Sequence, residues 1–149
     1  MLCGEVHDDN AHVMGGVAGH AGLFGTADAV YALLSELLRV YSGNAGRRIF
    51  QPRTVRWFWK KNECAGRALG FDVPSPSGSS SGDFFSRESS VGHLGFTGTS
   101  FWMDLKQEIV VVLLTNRVHP SRENDRIRAF RPIIHNQVMG ALKKAVSAE

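Results

Sequence analysis

The stretch with the most chemistry in it is Gly92-His93-Leu94-Gly95-Phe96-Thr97-Gly98-Thr99-Ser100. Its glycines are spaced through strand-forming residues and leave a bare backbone edge that another molecule can approach closely. Free backbone N–H groups on such an edge are the material of an oxyanion hole. His93 at its start is polar, and an imidazole is suited to give a proton or a hydrogen bond to a bound group. Glycines that simply close a tight hairpin explain the same pattern, and at this level both explanations stand.

Two other groupings invite chemistry. His7, Asp8, Asp9, His12 and His20 combine imidazole with carboxylate, a set that suits zinc or iron. Their spacing matches neither HExxH nor a zinc finger, and no helical pattern holds His7 and His12 together. The expectation is a loop packed through its glycines and histidines, with no metal and no cofactor. For nucleophilic catalysis, a GxSxG elbow is missing and no serine has a lysine three positions later. Cys64 follows Asn62 and Glu63 and has no evident histidine partner. Cys3 and Cys64 form no CxxC pair and support no disulfide framework, although a lone bridge between them is open. The chain carries no self-contained catalytic apparatus.

The elements that must position these groups can be read from periodicity. The 149 residues make one domain, 1–149, with 43% hydrophobic and 21% charged residues, too apolar for disorder. Met1 to Gly25 reads as loop. Thr26 is a plausible N-cap, Asp28 lies in the first turn, and Val30, Leu33, Leu34, Leu37, Leu38 and Tyr41 recur at helical spacing until Gly43. Pro52 suits the first turn of a short second helix carrying Val55, Trp57, Phe58 and Trp59, more plausibly core or lid than a carbohydrate platform. Pro74 to Gly82 reads as an exposed mobile loop.

Val91–Phe96, Ser100–Asp104 and Glu108–Thr115 then read as three strands, with turns at Thr97-Gly98 and Leu105–Gln107. The last run is apolar on both faces, as expected of a central strand. A closing helix follows on Ile127, Phe130, Ile134, Val138 and Leu142, with a kink or restart expected at Pro132. Three antiparallel strands and a long helix make an α+β layer arrangement. No apolar run approaches the ~20 residues of a membrane helix, and no export leader is visible.

Lys and Arg number 17 against 14 acidic residues, a net charge of +3. Between Arg117 and Arg131 the cations Arg122, Arg126, Arg128 and Arg131 are interrupted by Glu123 and Asp125, which predicts a solvated helix face with Glu123–Arg126 and Asp125–Arg128 pairs. A nucleic-acid surface would show a one-signed stripe or interleaved aromatics. Neither is present, so no nucleic-acid partner is expected.

The ordered set of segments resembles the serine β-lactamase-like superfamily, the group of class C β-lactamases, DD-peptidases and esterases. Gly16 to Asp28 is similar to that family's Gly-rich approach to a helix. Gly92 to Ser100 resembles its third active-site motif, Lys-Thr-Gly or His-Thr-Gly followed by a Gly-rich turn. Phe101 to Asp104 and Ile109 to Asn116, with the exit Arg117-Val118-His119-Pro120, resemble the next two strands. The resemblance implies the C-terminal portion of a catalytic domain, an antiparallel sheet with a long closing helix and part of a helical lobe. The nucleophile-bearing Ser-x-x-Lys portion would lie elsewhere, and the chain alone would be inactive.

On that resemblance His93 would orient substrate or tune the acid/base pair. Gly95 would let substrate lie along the strand, and the Phe96 backbone N–H would form half of an oxyanion hole. Leu94 departs from the family's Thr and brings no hydroxyl to a substrate carboxylate, for which Thr97, beside Gly98, would compensate in part. The implied substrate is a small-molecule or peptide acyl compound, an ester or amide more than a β-lactam. The family is often extracytoplasmic. A non-catalytic binding module on the same scaffold is the alternative, and a zinc-bearing hydrolase a third. An exposed sheet edge would favour self-association or a complementing chain.

Overall fold

The computed structural model describes residues 3–44 and 49–146. The chain runs α1 (Asp9–Val13), α2 (Ala27–Ser42), α3 (Pro52–Trp59), β1 (Ser90–Leu94), β2 (Ser100–Asp104), β3 (Ile109–Leu113) and α4 (Ile127–Val146). The three strands form one antiparallel sheet in the order β1-β2-β3. The architecture is α+β. β2 is central, and β3, expected to be central, has one neighbour among the described strands and is half-buried along its length.

Alternation along the strands assigns the two faces. Val91 and Met103 point to one, where they join Leu34, Leu38 and Val40 of α2 and Val55 and Trp59 of α3 in a single buried cluster. Trp102 points to the other, against Phe85 and Met139 of α4, with Leu94, Ile109 and Val111 around it. Gly92, opposite Trp102 in the register, makes this possible: a Cβ there would lie 2.5 Å from the Trp102 ring.

α2 begins as its sequence requires, with Thr26 Oγ1 accepting from the Ala29 N–H at 3.2 Å, and it ends at Gly43 with φ of 84°. Leu33 belongs to the periodic set but is exposed. In α3, Trp59 is buried in the core and Trp57 is exposed. The opening segment is not all loop. Asp8 accepts from the Ala11 N–H at 2.8 Å and caps the one-turn helix α1, a signal too short for periodicity to show. That bond, with a smaller contribution from His20, holds the Asp8 carboxyl below its usual pKa.

The turn between β2 and β3 is organised by Asp104, fully buried yet satisfied by the amides of Lys106 and Gln107 at 3.0 and 3.1 Å, with Gln107 Nε2 at 2.8 Å and Ser89 Oγ at 3.2 Å.

The closing helix departs most from expectation. It runs through Pro132 without restarting, since in its second turn the proline forfeits only the bond to the Arg128 carbonyl. Its buried side is Ile127, Arg131, His135 and Met139, while Phe130 and Leu142 are exposed. The expected apolar stripe is thus rotated, because backbone carbonyls beneath the helix call for donors. The residues before Ile127 are not helical, and Arg131 is 6% exposed rather than solvated.

The serine-rich segment is likewise not a free loop. Ser79 and Ser81 are buried, the Ser80 carbonyl accepts from His135 Nδ1 at 2.8 Å, and Asn136 pairs with Asp83 through both its amide atoms. Because a carbonyl only accepts, His135 carries its proton on Nδ1, and Nε2 is buried without a partner. Burial pushes the His135 pKa below its ordinary value of 6.5, Ser80 opposing and the Arg131 charge adding to the shift.

The unfolded chain therefore takes up this proton more readily than the folded one. His135 contributes stability above pH 6.5 that is lost as pH falls below that value toward the lowered folded pKa. His135→Gln should flatten that part of the stability curve. Urea midpoints of both proteins across pH check it, and parallel curves would contradict it.

Candidate functional site

The site candidates lie at the end of β1 and in the turn that leads to β2. The turn is closed by Gly95 N–H donating to the Thr99 carbonyl at 2.7 Å and Gly98 N–H donating to the Gly95 carbonyl at 3.1 Å. Gly98 has φ of 113°, and a Cβ there would stand 2.5 Å from Thr115 Oγ1 and 3.0 Å from the Arg117 nitrogen. At Gly95 a Cβ would collide with Thr99 Oγ1.

Every carbonyl from Gly95 to Thr99 is held from the protein side. Arg131 Nη2 donates to Gly95 at 2.8 Å and to Thr99 at 2.7 Å. Arg117 Nε donates to Phe96 at 2.7 Å, its backbone N–H to Thr97 at 2.8 Å, and Thr115 Oγ1 to Gly98 at 2.7 Å. The Phe96 and Thr97 amides, by contrast, have no hydrogen-bond partner among the described residues. Two adjacent unengaged N–H groups on a turn whose carbonyls are all taken are able to receive a negatively charged oxygen.

His93 is exposed on the face of β1 that α2 and α3 cover further along. Its Nδ1 donates to the Leu94 carbonyl at 2.9 Å, which leaves Nε2 free to act toward a bound group. Leu94 points to the opposite face and packs beside the Phe85–Trp102–Met139 cluster, so its side chain is not on the His93 face.

Sequence reasoning missed two arginines. Arg117 stacks its guanidinium 4.2 Å over the Phe96 ring while donating to the Arg122 and Asn124 carbonyls at 2.8 and 3.0 Å. Arg131 was placed on a solvated face. Its signal was the Arg131, His135, Met139 spacing of four, which runs down a different side of the helix from the apolar set.

Phe96 also draws in the opening segment. His7 meets its ring edge-on at 5.9 Å, and Arg122, 5.7 Å from the same ring, reaches Asp9 at 3.5 Å. Asp8 instead pairs with His20 at 2.9 Å. Among the described residues no three His, Cys, Asp or Glu side chains converge as metal ligands. Cys3 and Cys64 are free and exposed. The Glu123–Arg126 and Asp125–Arg128 pairs do not form among the described residues.

Two cavities lie away from the turn, one of about 470 Å³ by Tyr41, Trp59 and Arg87 and one of about 460 Å³ by Gly4, His12 and Phe24. No described helix is long and apolar enough to cross a membrane.

The family model described as Beta-lactamase matches residues 4–132. Over 129 residues the chain is 33% identical to proteins of Salmonella agona and Salmonella gallinarum, each named "Putative D-alanyl-D-alanine carboxypeptidase". That stretch is 85% of this chain and 30% of each relative, so the chain spans under a third of their length. No solved structure gives a significant match.

Proposed function

We propose that this chain, which belongs to the beta-lactamase family, is the C-terminal portion of a serine acyl hydrolase and supplies the third-motif wall of its active site. The family resemblance implies a serine hydrolase acting through an acyl-enzyme, and the relatives named as D-alanyl-D-alanine carboxypeptidases favour a peptide acyl group as substrate.

The carrying observation is the turn at Gly95–Thr99, with its carbonyls tied back and the Phe96 N–H unengaged. In the mechanism a serine from outside these 149 residues gives its proton to the lysine of its Ser-x-x-Lys motif and attacks the acyl carbonyl. The adduct expels the amine or alcohol, which takes that proton, and water then cleaves the acyl-enzyme. The Phe96 N–H donates to the oxygen that becomes negative, sharing it with the nucleophile's own amide. Gly95, without a side chain, admits the substrate backbone alongside β1. Thr97, beside Gly98, offers a hydroxyl to the substrate's polar end. His93 Nε2 hydrogen-bonds the substrate or the acid/base pair, with its ring orientation fixed through the Leu94 carbonyl.

The test is hydrolysis of p-nitrophenyl acetate and nitrocefin, with fluorophosphonate labelling read by intact mass. The 149-residue chain alone should give neither turnover nor adduct. Joined or mixed with a family segment bearing Ser-x-x-Lys, it should give both. An adduct on a serine of this chain alone would overturn the assignment. An inert, well-folded complement would favour a non-catalytic binding module.

A further inference from the structure

Arg131 is an unusual residue to bury. At 6% exposure it has no carboxylate partner among the described residues, its Nε is unsatisfied, and the like charge of Arg117 acts on it. Burying a cation this way costs more than an apolar side chain of equal volume would. What it obtains in return is one nitrogen, Nη2, that donates to two carbonyls at once, Gly95 and Thr99, the two ends of the turn.

The Gly95 carbonyl and the Phe96 N–H belong to the same peptide plane. In a trans peptide the two point in opposite directions. Holding that carbonyl toward α4 therefore aims the Phe96 N–H away from α4 and toward open solvent. We infer that Arg131 is a positioning residue that sets the direction of the Phe96 N–H through the Gly95 carbonyl.

Arg117 acts on the next plane in the same way, since its hold on the Phe96 carbonyl turns the Thr97 N–H. It is half-exposed, however, whereas Arg131 is locked by the packing of α4. The catalytic consequence rests on the hydrolase reading above. The conformational consequence does not.

The test uses Arg131→Met, which keeps much of the volume, and Arg131→Lys, which keeps a cation able to reach a carbonyl. In the 149-residue chain, amide exchange of Gly95 and Gly98, both bonded within the turn, is followed by NMR beside that of Trp102 and Met103 in β2. Arg131→Met should speed exchange at Gly95 and Gly98 about tenfold while β2 keeps its protection, and Arg131→Lys should recover part of the difference. Unchanged exchange at the turn would overturn the inference. An equal rise throughout β2 and α4 would also overturn it, because Arg131 would then only hold the helix down.

In a reconstituted hydrolase, Arg131→Met should lower kcat about tenfold to a hundredfold with KM within about twofold, and Arg131→Lys should restore part of kcat. Unchanged kcat in an active enzyme would refute the positioning role. If the wild-type assembly is itself inert, the hydrolase reading fails, and the exchange experiment still decides whether Arg131 sets the turn.

Discussion

His93→Ala in the reconstituted hydrolase should lower kcat/KM for p-nitrophenyl acetate by about 10²–10³, the range for loss of one positioned hydrogen-bond donor at the reacting centre. The chain should meanwhile fold as before. His93 is exposed, and its side-chain hydrogen bond is to the carbonyl of its own neighbour, so removal leaves no buried group unsatisfied. The activity loss should therefore appear with an unchanged urea midpoint. Turnover within twofold of wild type would remove His93 from the mechanism and leave the backbone of the turn as the chain's contribution.

The largest effect on stability should come from Trp102→Ala, at about 3–5 kcal/mol, the usual range for truncating a buried aromatic. Trp102 is 1% exposed and fills the layer between the sheet and α4, with Phe85 at 6.1 Å between ring centroids and Met139 in the same cluster. The neighbouring groups have little room to collapse into the gap, since Gly92 opposite offers no side chain to fill it. Urea unfolding by far-UV circular dichroism measures the loss, and a cost below 1 kcal/mol would mean that α4 does not depend on this contact. Trp102→Phe, which keeps a ring, should recover a good part. The indole Nε1 has no partner, so Phe sacrifices no hydrogen bond.

The elements that sequence showed well are those whose local signals act alone. Thr26 and Gly43 bound α2 because a side-chain cap and a left-handed residue work within one turn of backbone. Ser100–Asp104 and the turns on either side follow from β-branched and aromatic runs broken by Gly and by Lys106-Gln107. The candidate site was legible as far as its backbone: the glycines and His93 mark the turn by type.

What holds the turn was not legible. Arg117 and Arg131 earn their places from carbonyls 21 and 36 residues away, and a charged residue on a helix reads as solvent-facing until its partner is known. Ser79 to Ser81 read as loop for the same reason. Their polarity is satisfied by one another and by α4, and not by water. β3 misled in the opposite direction, since its apolar composition speaks of cover on two faces but says nothing about how many strands flank it.

The three strands are consecutive in the chain and joined by short turns, so each pairs with the one just before it. The loops closed in forming the sheet are short, and their entropic cost is correspondingly small. α2 reaches the turn before β3 across 66 residues, where the Ser42 hydroxyl donates to Glu108, and Arg131 returns to Gly95 across 36. The hairpin that carries His93 and the Phe96 amide belongs to the low-contact-order part of the chain, where loop closure costs least. The hairpin supplies the shape of the candidate turn through neighbouring residues, and α4 supplies its hold from far along the chain.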